Sequence, residues 1–172
     1  MKQIQIMKKI MLLAGFGVYL YLLTKLILFK LGSVNIAFLI DQLQRTLQYP
    51  DRIFNRSVNV VPFKEISRGV QHMSLANPFE MTNITGNILA FIPLGMFIPM
   101  LFRHRTALLT QVFMLSLLLS LSFEVTQLVL YIGTFDVDDL ILNTCGGVLG
   151  YGIYRLGSLL GRSRQIRKVR IN

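Results

Sequence analysis

The sequence predicts an all-α membrane protein, a polytopic bundle of four transmembrane helices plus an outer loop with interfacial helices. Three observations carry that reading. The 172 residues are 53% hydrophobic and only 15% charged. The apolar residues come in long blocks rather than at the spacing of a helix with one buried face. The basic residues gather at the edges of those blocks. An apolar block of about 18 or more residues reads as a membrane span, because about 20 residues at roughly 1.5 Å each cross the hydrocarbon layer. Four segments qualify, at about 10–29, 84–102, 107–132 and 140–160. A soluble bundle is disfavoured, since so small a chain cannot bury four helices that are apolar all round. There is no internal repeat or low-complexity linker, so residues 1–172 read as a single membrane domain.

Span one follows Lys2, Lys8 and Lys9. A basic start and an apolar run also fit a signal peptide. No small-x-small cleavage site follows Phe29 and the run is long, so an uncleaved anchor is expected. Lys25, near the outer end, is expected to snorkel its amine to the outer headgroups. The outer loop, 30–83, is too long for a turn. Within it Ile36, Leu39, Ile40, Leu43 and Leu47 recur at helical spacing between polar residues, which suits a helix lying in the interface. Pro50 ends that helix. A second helical stretch is expected from Phe63 to about Leu75, with Asn77-Pro78 as a stop.

Span two carries Pro93 and Pro99. Each removes a backbone N–H and frees the carbonyl four residues earlier, at Leu89 and Gly95, so a break with a kink is expected. Arg103 and Arg105 separate spans two and three, and Arg155, Arg162, Arg164, Arg167, Lys168 and Arg170 close span four. With four spans, these groups and the N-terminal lysines share one side. The positive-inside rule makes that side the cytoplasm, with both termini in it. The turn 133–139 has no Lys or Arg and three Asp, so it belongs outside, with the long loop. The loop's six basic residues run against this count, although long loops translocate largely regardless of charge. A net charge of +10 invites a nucleic-acid reading, but membrane topology explains its placement better, and no nucleic-acid partner is expected.

At about 100° per residue, three spans each carry a narrow polar or small-residue stripe. Span two has Asn83, Gly86, Asn87, Ala90 and Leu94. Span three has Ser116, Ser120, Glu124, Gln127 and Tyr131. Span four has Asp139, Asn143, Gly146, Gly147, Gly150, Tyr154 and Gly157. Polar side chains are expensive in hydrocarbon, so the stripes should face one another. Their polar groups converge on the outer half of the bundle, as a pocket or a sealed hydrogen-bond network. The ligand-binding candidates are therefore Asn83, Asn87, Ser120, Glu124, Gln127, Asp136, Asp138, Asp139 and Asn143.

Glu124 is the only acid inside a predicted span and lies about 12 Å below the outer end of span three. An isolated carboxylate there is costly. It is either a helix–helix tie to Gln127, Asn87 or Asn143, or a proton-handling or ligand-binding group, and it is the candidate catalytic residue. The cluster Asp136-x-Asp138-Asp139 reads either as helix caps or, less favoured, as a site for a hard cation. Gly146-x-x-x-Gly150 suits close packing of helices within the chain better than dimerisation. Cys145, the single cysteine, is expected to be a buried structural thiol. His72 and His104 fall on opposite sides of the membrane. No trusted catalytic triad, zinc spacing or phosphate-binding glycine loop appears, so no cofactor is expected and catalysis is disfavoured.

These residues resemble the VanZ-like family of bacterial membrane proteins. The matching pieces are Asn59-Val-Val-Pro62-Phe63 in the outer loop, then Gly86-Asn87, Phe91-x-Pro93-Leu94-Gly95 and Pro99 in span two. Ser120 and Glu124-x-x-Gln127 follow in span three. Phe135-Asp136-x-Asp138-Asp139, Asn143-Thr144-x-Gly146 and Gly150-Tyr151 complete the set, which covers about 59–154 in order and spacing. The chain departs from the family pattern where an Arg often precedes the Asp cluster; Gly133-Thr134-Phe135 stand there. The resemblance implies an association with low-level glycopeptide resistance, notably to teicoplanin and lipid-bearing relatives, and no settled reaction. Three functions follow as expectations. The first is a non-enzymatic protein whose outer pocket binds membrane lipid, a lipid-linked wall precursor or the lipid tail of a lipoglycopeptide. The second is a membrane enzyme modifying such a lipid with Glu124 as general base. The third is a structural membrane subunit.

Overall fold

The computed structural model describes residues 2–53, 58–71, 78–102 and 108–169, with side chains given except at 78–82, 108 and 162–169. His72, Leu75, Asn77, Arg103, His104 and Arg105 lie outside the described residues. Six α-helices make up nearly all of the rest: α1 (Lys2–Phe29), α2 (Ile36–Gln48), α3 (Lys64–Gln71), α4 (Pro78–Leu101), α5 (Leu108–Leu130) and α6 (Val137–Val169). A 3-10 turn (Pro50–Ile53) and two short strands, β1 (Val58–Asn59) and β2 (Phe135–Asp136), complete the described elements.

α1 begins well before the predicted span, because Lys2, Gln3, Lys8 and Lys9 are good helix formers and carry the helix out of the apolar block. It ends with Lys30 and Leu31 in the left-handed region, φ 46 and 62. Their N–H groups donate to the carbonyls of Leu26 and Lys25, so the last turn is closed by backbone alone. α2 matches the predicted amphipathic stretch. Asn35 caps it by accepting from the Phe38 N–H at 3.0 Å, and Pro50 follows its last turn. Ile36, Ile40, Leu43 and Leu47 are exposed along it, while Thr46 is buried and donates to the Val129 carbonyl at 2.8 Å. That bond, with the Arg52 guanidinium 4.9 Å from the centre of the Tyr131 ring, docks the long loop on the end of α5.

α1, residues 83–101 of α4 and residues 109–130 of α5 are each long and apolar enough to cross a membrane. The fourth predicted span falls on α6, which does not reach that hydropathy. The shortfall comes from Asn143, Thr144, Arg155 and the run of glycines, of which Asn143, Gly146, Gly147 and Gly150 belong to its stripe. α6 is nonetheless the centre of the bundle, packed along α4 and α5. Helices surrounded by lipid associate through close packing rather than by leaving water. The contacts here are of that kind. An added Cβ would fall 2.3 Å from the Ile88 carbonyl oxygen at Gly146 and 2.0 Å from that of Ile92 at Gly150, so α4 and α6 meet backbone to backbone. The glycine motif therefore serves packing within the chain. Phe91, Leu94, Ile98, Val112 and Phe123 fill the space beside it, and Leu23 of α1 joins them. Tyr19 seats α1 on α4 by donating to the Ala90 carbonyl at 2.9 Å, with Phe16 and Phe97 stacked around it.

Two expectations are corrected. α4 runs helical through Pro93 and Pro99 without an interruption, since a neighbouring helix covers this segment on one side. Cys145 is exposed rather than buried. At about 100° per residue it points away from the stripe that packs on α4 and α5. The second loop helix is described over Lys64–Gln71, and the rest of the expected stretch, to Leu75, lies outside the described residues. The sequence also gives no sign of the parallel pairing of β1 with β2, Val58 opposite Phe135 and Asn59 opposite Asp136. This pairing joins the long loop to the acidic turn at one end of the bundle.

Candidate functional site

The acidic turn is built downward from α5. Tyr131 adopts φ 60, and the Ile132 N–H donates back to the Gln127 carbonyl. Gly133 sits so close to the Gln127 side chain that an added Cβ would lie 2.5 Å from its Oε1. The turn therefore folds over the end of α5, and the Asp136 N–H reaches Glu124 Oε2 at 2.8 Å. Glu124, 1% exposed, is tied to a backbone N–H rather than to Gln127, Asn87 or Asn143. The folded-back turn is the reason, because it brings an amide closer than any of those side chains.

The three aspartates then serve three separate purposes. Asp136 Oδ1 accepts from the Asp138 N–H at 2.8 Å, which caps the N-terminus of α6, and from Asn59 Nδ2 at 2.8 Å. Burial pushes the Asp136 carboxyl above the usual range, and those two donors pull it back. Asp138, 1% exposed, turns to the outer loop. It accepts from the backbone N–H groups of Phe63 at 2.5 Å, Glu65 at 2.7 Å and Ile66 at 3.1 Å. A residue on α6 thus caps α3 across more than seventy positions of sequence. The carboxylate meets the free N–H groups and the positive end of the α3 dipole together. Asp139 Oδ1 accepts from Asn87 Nδ2 at 2.6 Å and links α6 to α4.

Two further ties lie in the same bundle. Asn143 Nδ2 donates to Ser120 Oγ at 2.8 Å, and Gln127 Nε2 donates to the Ile27 carbonyl at 2.9 Å. Asn59 Oδ1, Asn143 Oδ1, Ser116 Oγ and Thr144 Oγ1 are buried with no hydrogen-bond partner among the described residues.

Above these ties a cavity of about 1040 Å³ opens between α1, α3, α4 and the start of α6. Asn83, Asn87, Gln127, Asp136, Asp138 and Asp139 line it. Ser120, Glu124 and Asn143 do not; they lie in the packed layer, each 1% exposed or less. The nine sequence candidates thus divide into six on the cavity wall and three in the structural network. The wall also holds Lys30, Asn59, Lys64, Glu65 and Arg68, which the sequence reading left out of the set. Asn59 had a signal, since it opens the loop motif. The basic residues had none, because their position depends on the β1–β2 pairing and the Asp138 cap. Ile27, Ile66, Ile84 and Leu142 supply an apolar side to the same space. The lining therefore offers both hydrogen-bonding and charged groups and apolar side chains.

The family described as VanZ/LLP1 matches residues 16–160. The chain is 32% identical to Protein VanZ of Enterococcus faecium over 163 residues, which is 95% of this chain and 85% of that protein. No solved structure matches the chain. The matched region runs from the middle of α1 through the outer loop to α6 and includes every residue named on the cavity wall. The chain belongs to the VanZ-like family, membrane proteins associated with glycopeptide resistance.

Proposed function

We propose that this is a four-span protein with both termini in the cytoplasm, whose outward-facing cavity binds the headgroup region of an envelope amphiphile. The ligand is an envelope lipid, a lipid-linked wall precursor or the lipid-bearing part of a teicoplanin-type glycopeptide. Resistance then follows from binding rather than from catalysis. One observation carries the reading. The cavity is lined by amides and carboxylates together with Ile27, Ile66, Ile84 and Leu142, and α2 exposes Ile36, Ile40 and Leu47. A helix of that pattern suits the membrane interface, which supports a cavity mouth at headgroup depth. α6 supports the fourth span by its 33 residues, about 50 Å at roughly 1.5 Å each. Glu124, the base an enzymatic reading needs, lies off the cavity wall.

The test is teicoplanin susceptibility together with binding of envelope lipid, measured at equal membrane abundance. Asn83→Trp fills the cavity mouth, and Asp139→Asn alters its wall. Both are expected to lower lipid retention and resistance. Unchanged retention and resistance in both variants would remove the cavity from function. A lipid species made or lost only when the protein is present would replace binding with catalysis.

A further inference from the structure

Resting on that reading of the cavity, we infer that the amphiphile carries a phosphate, and that Lys64 and Arg68 on α3 hold it. By formal count the wall does not favour an anion. Glu65, Asp136, Asp138 and Asp139 face Lys30, Lys64 and Arg68. The hydrogen bonds leave that count unchanged but decide which of the groups are already engaged. Both oxygens of Asp138 are taken by three backbone N–H groups. Asp136 accepts from Asn59 and from the Asp138 N–H. Asp139 accepts from Asn87. These three carboxylates are committed to the fold.

The cations of α3 are not. Lys64 makes no hydrogen bond or ion pair among the described residues, though it lines the cavity. Arg68 meets Glu65 through one nitrogen, Nη1, at 2.9 and 3.2 Å. That exposed pair is weak, and the guanidinium keeps donors for a second acceptor. Lys64 and Arg68 stand four residues apart, so they share one face of α3. Gly69 fixes the turn of that face, because an added Cβ there would lie 2.6 Å from Ile84 Cδ1 of α4. Asp138 already occupies the N-terminus of α3, so an anion in the cavity meets the two side-chain cations rather than the helix end. Ile66 and Ile84 beside them receive the chains of a lipid. A phosphate on a lipid satisfies both sides of this arrangement, whereas a neutral headgroup leaves Lys64 unpaired.

The experiment uses the full-length protein in detergent. Phosphatidic acid is compared with diacylglycerol of the same acyl chains, with inorganic phosphate as a separate competitor and retained lipid read by native mass spectrometry. Phosphatidic acid is expected to bind at least tenfold more tightly than diacylglycerol. Lys64→Ala with Arg68→Ala should erase that preference, Lys64→Arg should keep it, and millimolar inorganic phosphate should not displace the lipid. Equal binding of the two lipids, both blocked by Asn83→Trp, would overturn the phosphate assignment and leave the cavity reading standing. Displacement by inorganic phosphate at concentrations near the lipid's own would overturn the lipid source. Binding that Asn83→Trp leaves untouched would overturn both. Both substituted side chains are exposed, and thermal unfolding of the double variant checks that the fold is kept.

Discussion

Replacing Asp138 by alanine removes the single acceptor shared by two α3 amides and the Phe63 amide just before them. An N-cap is worth about 0.5–2 kcal/mol, and each buried donor left without a partner costs about 1–3 kcal/mol. The full sum does not apply. Phe63 is exposed, so its N–H can turn to water, while Glu65 and Ile66 are half-buried. About 2–4 kcal/mol is therefore the expected loss, at roughly 1.4 kcal/mol per tenfold in an equilibrium constant. The loss is local. α3 touches the bundle mainly through α4 and the start of α6, and the α4–α6 contact does not depend on it. Hydrogen exchange on the protein in detergent reads the effect directly. Amides at 65 and 66 should exchange about 30- to 1000-fold faster in Asp138→Ala, with those of α4 and α6 unchanged. Protection at 65 and 66 within threefold of the parent protein would refute the cap. A loss spread evenly over the whole bundle would show that α3 is not a separately held element.

Three other outcomes follow from the same geometry. Gly150→Ala brings a Cβ to 2.0 Å from the Ile92 carbonyl oxygen and should cost about 3 kcal/mol or more, whereas Gly152→Ala meets nothing within 4 Å and should leave the melting temperature unchanged or slightly raised. Glu124→Gln keeps an acceptor for the Asp136 N–H and should retain membrane abundance, while Glu124→Leu strands that donor and should lower stability by about 1–3 kcal/mol, read as thermal unfolding in detergent. A double-mutant cycle on Asn87→Ala and Asp139→Ala should give a coupling of about 0.5–3 kcal/mol in unfolding, and additivity would break the tie between α4 and α6 at 2.6 Å.

Much of the bundle was legible because a membrane span writes itself as a block. The apolar segments at 84–102 and 107–132 became α4 and α5 within a few residues at all but the N-terminal end of α4. α2 was legible for a different reason, its apolar period ending at Pro50. The stripes faced one another because polar atoms and glycines gather where helices touch, and Ser116, Ser120, Asn143 and Gly150 are all buried. The same wheel already placed Cys145 opposite the stripe, so its exposure was available from spacing alone. The loop was not legible in this way. A two-residue ladder has no periodicity, and the donors that hold Asp138 are backbone N–H groups 72–75 positions away. Backbone donors have no letter in a sequence. The sequence therefore offers only side-chain partners for a Glu124 tie, and it does not bring Lys64 and Arg68 to the cavity, since their position depends on the fold of α3.

The account depends on a polar cavity that opens away from the cytoplasm and stops above the layer of Ser120, Glu124 and Asn143. A membrane-impermeant thiol reagent tests this in a Cys145→Ala background carrying Asn83→Cys, Thr134→Cys or Asn143→Cys one at a time. Labelling of positions 83 and 134 from the outer face of intact cells, with none at 143, is the expected result. Labelling of 83 and 134 only after the cytoplasmic face is exposed would contradict it.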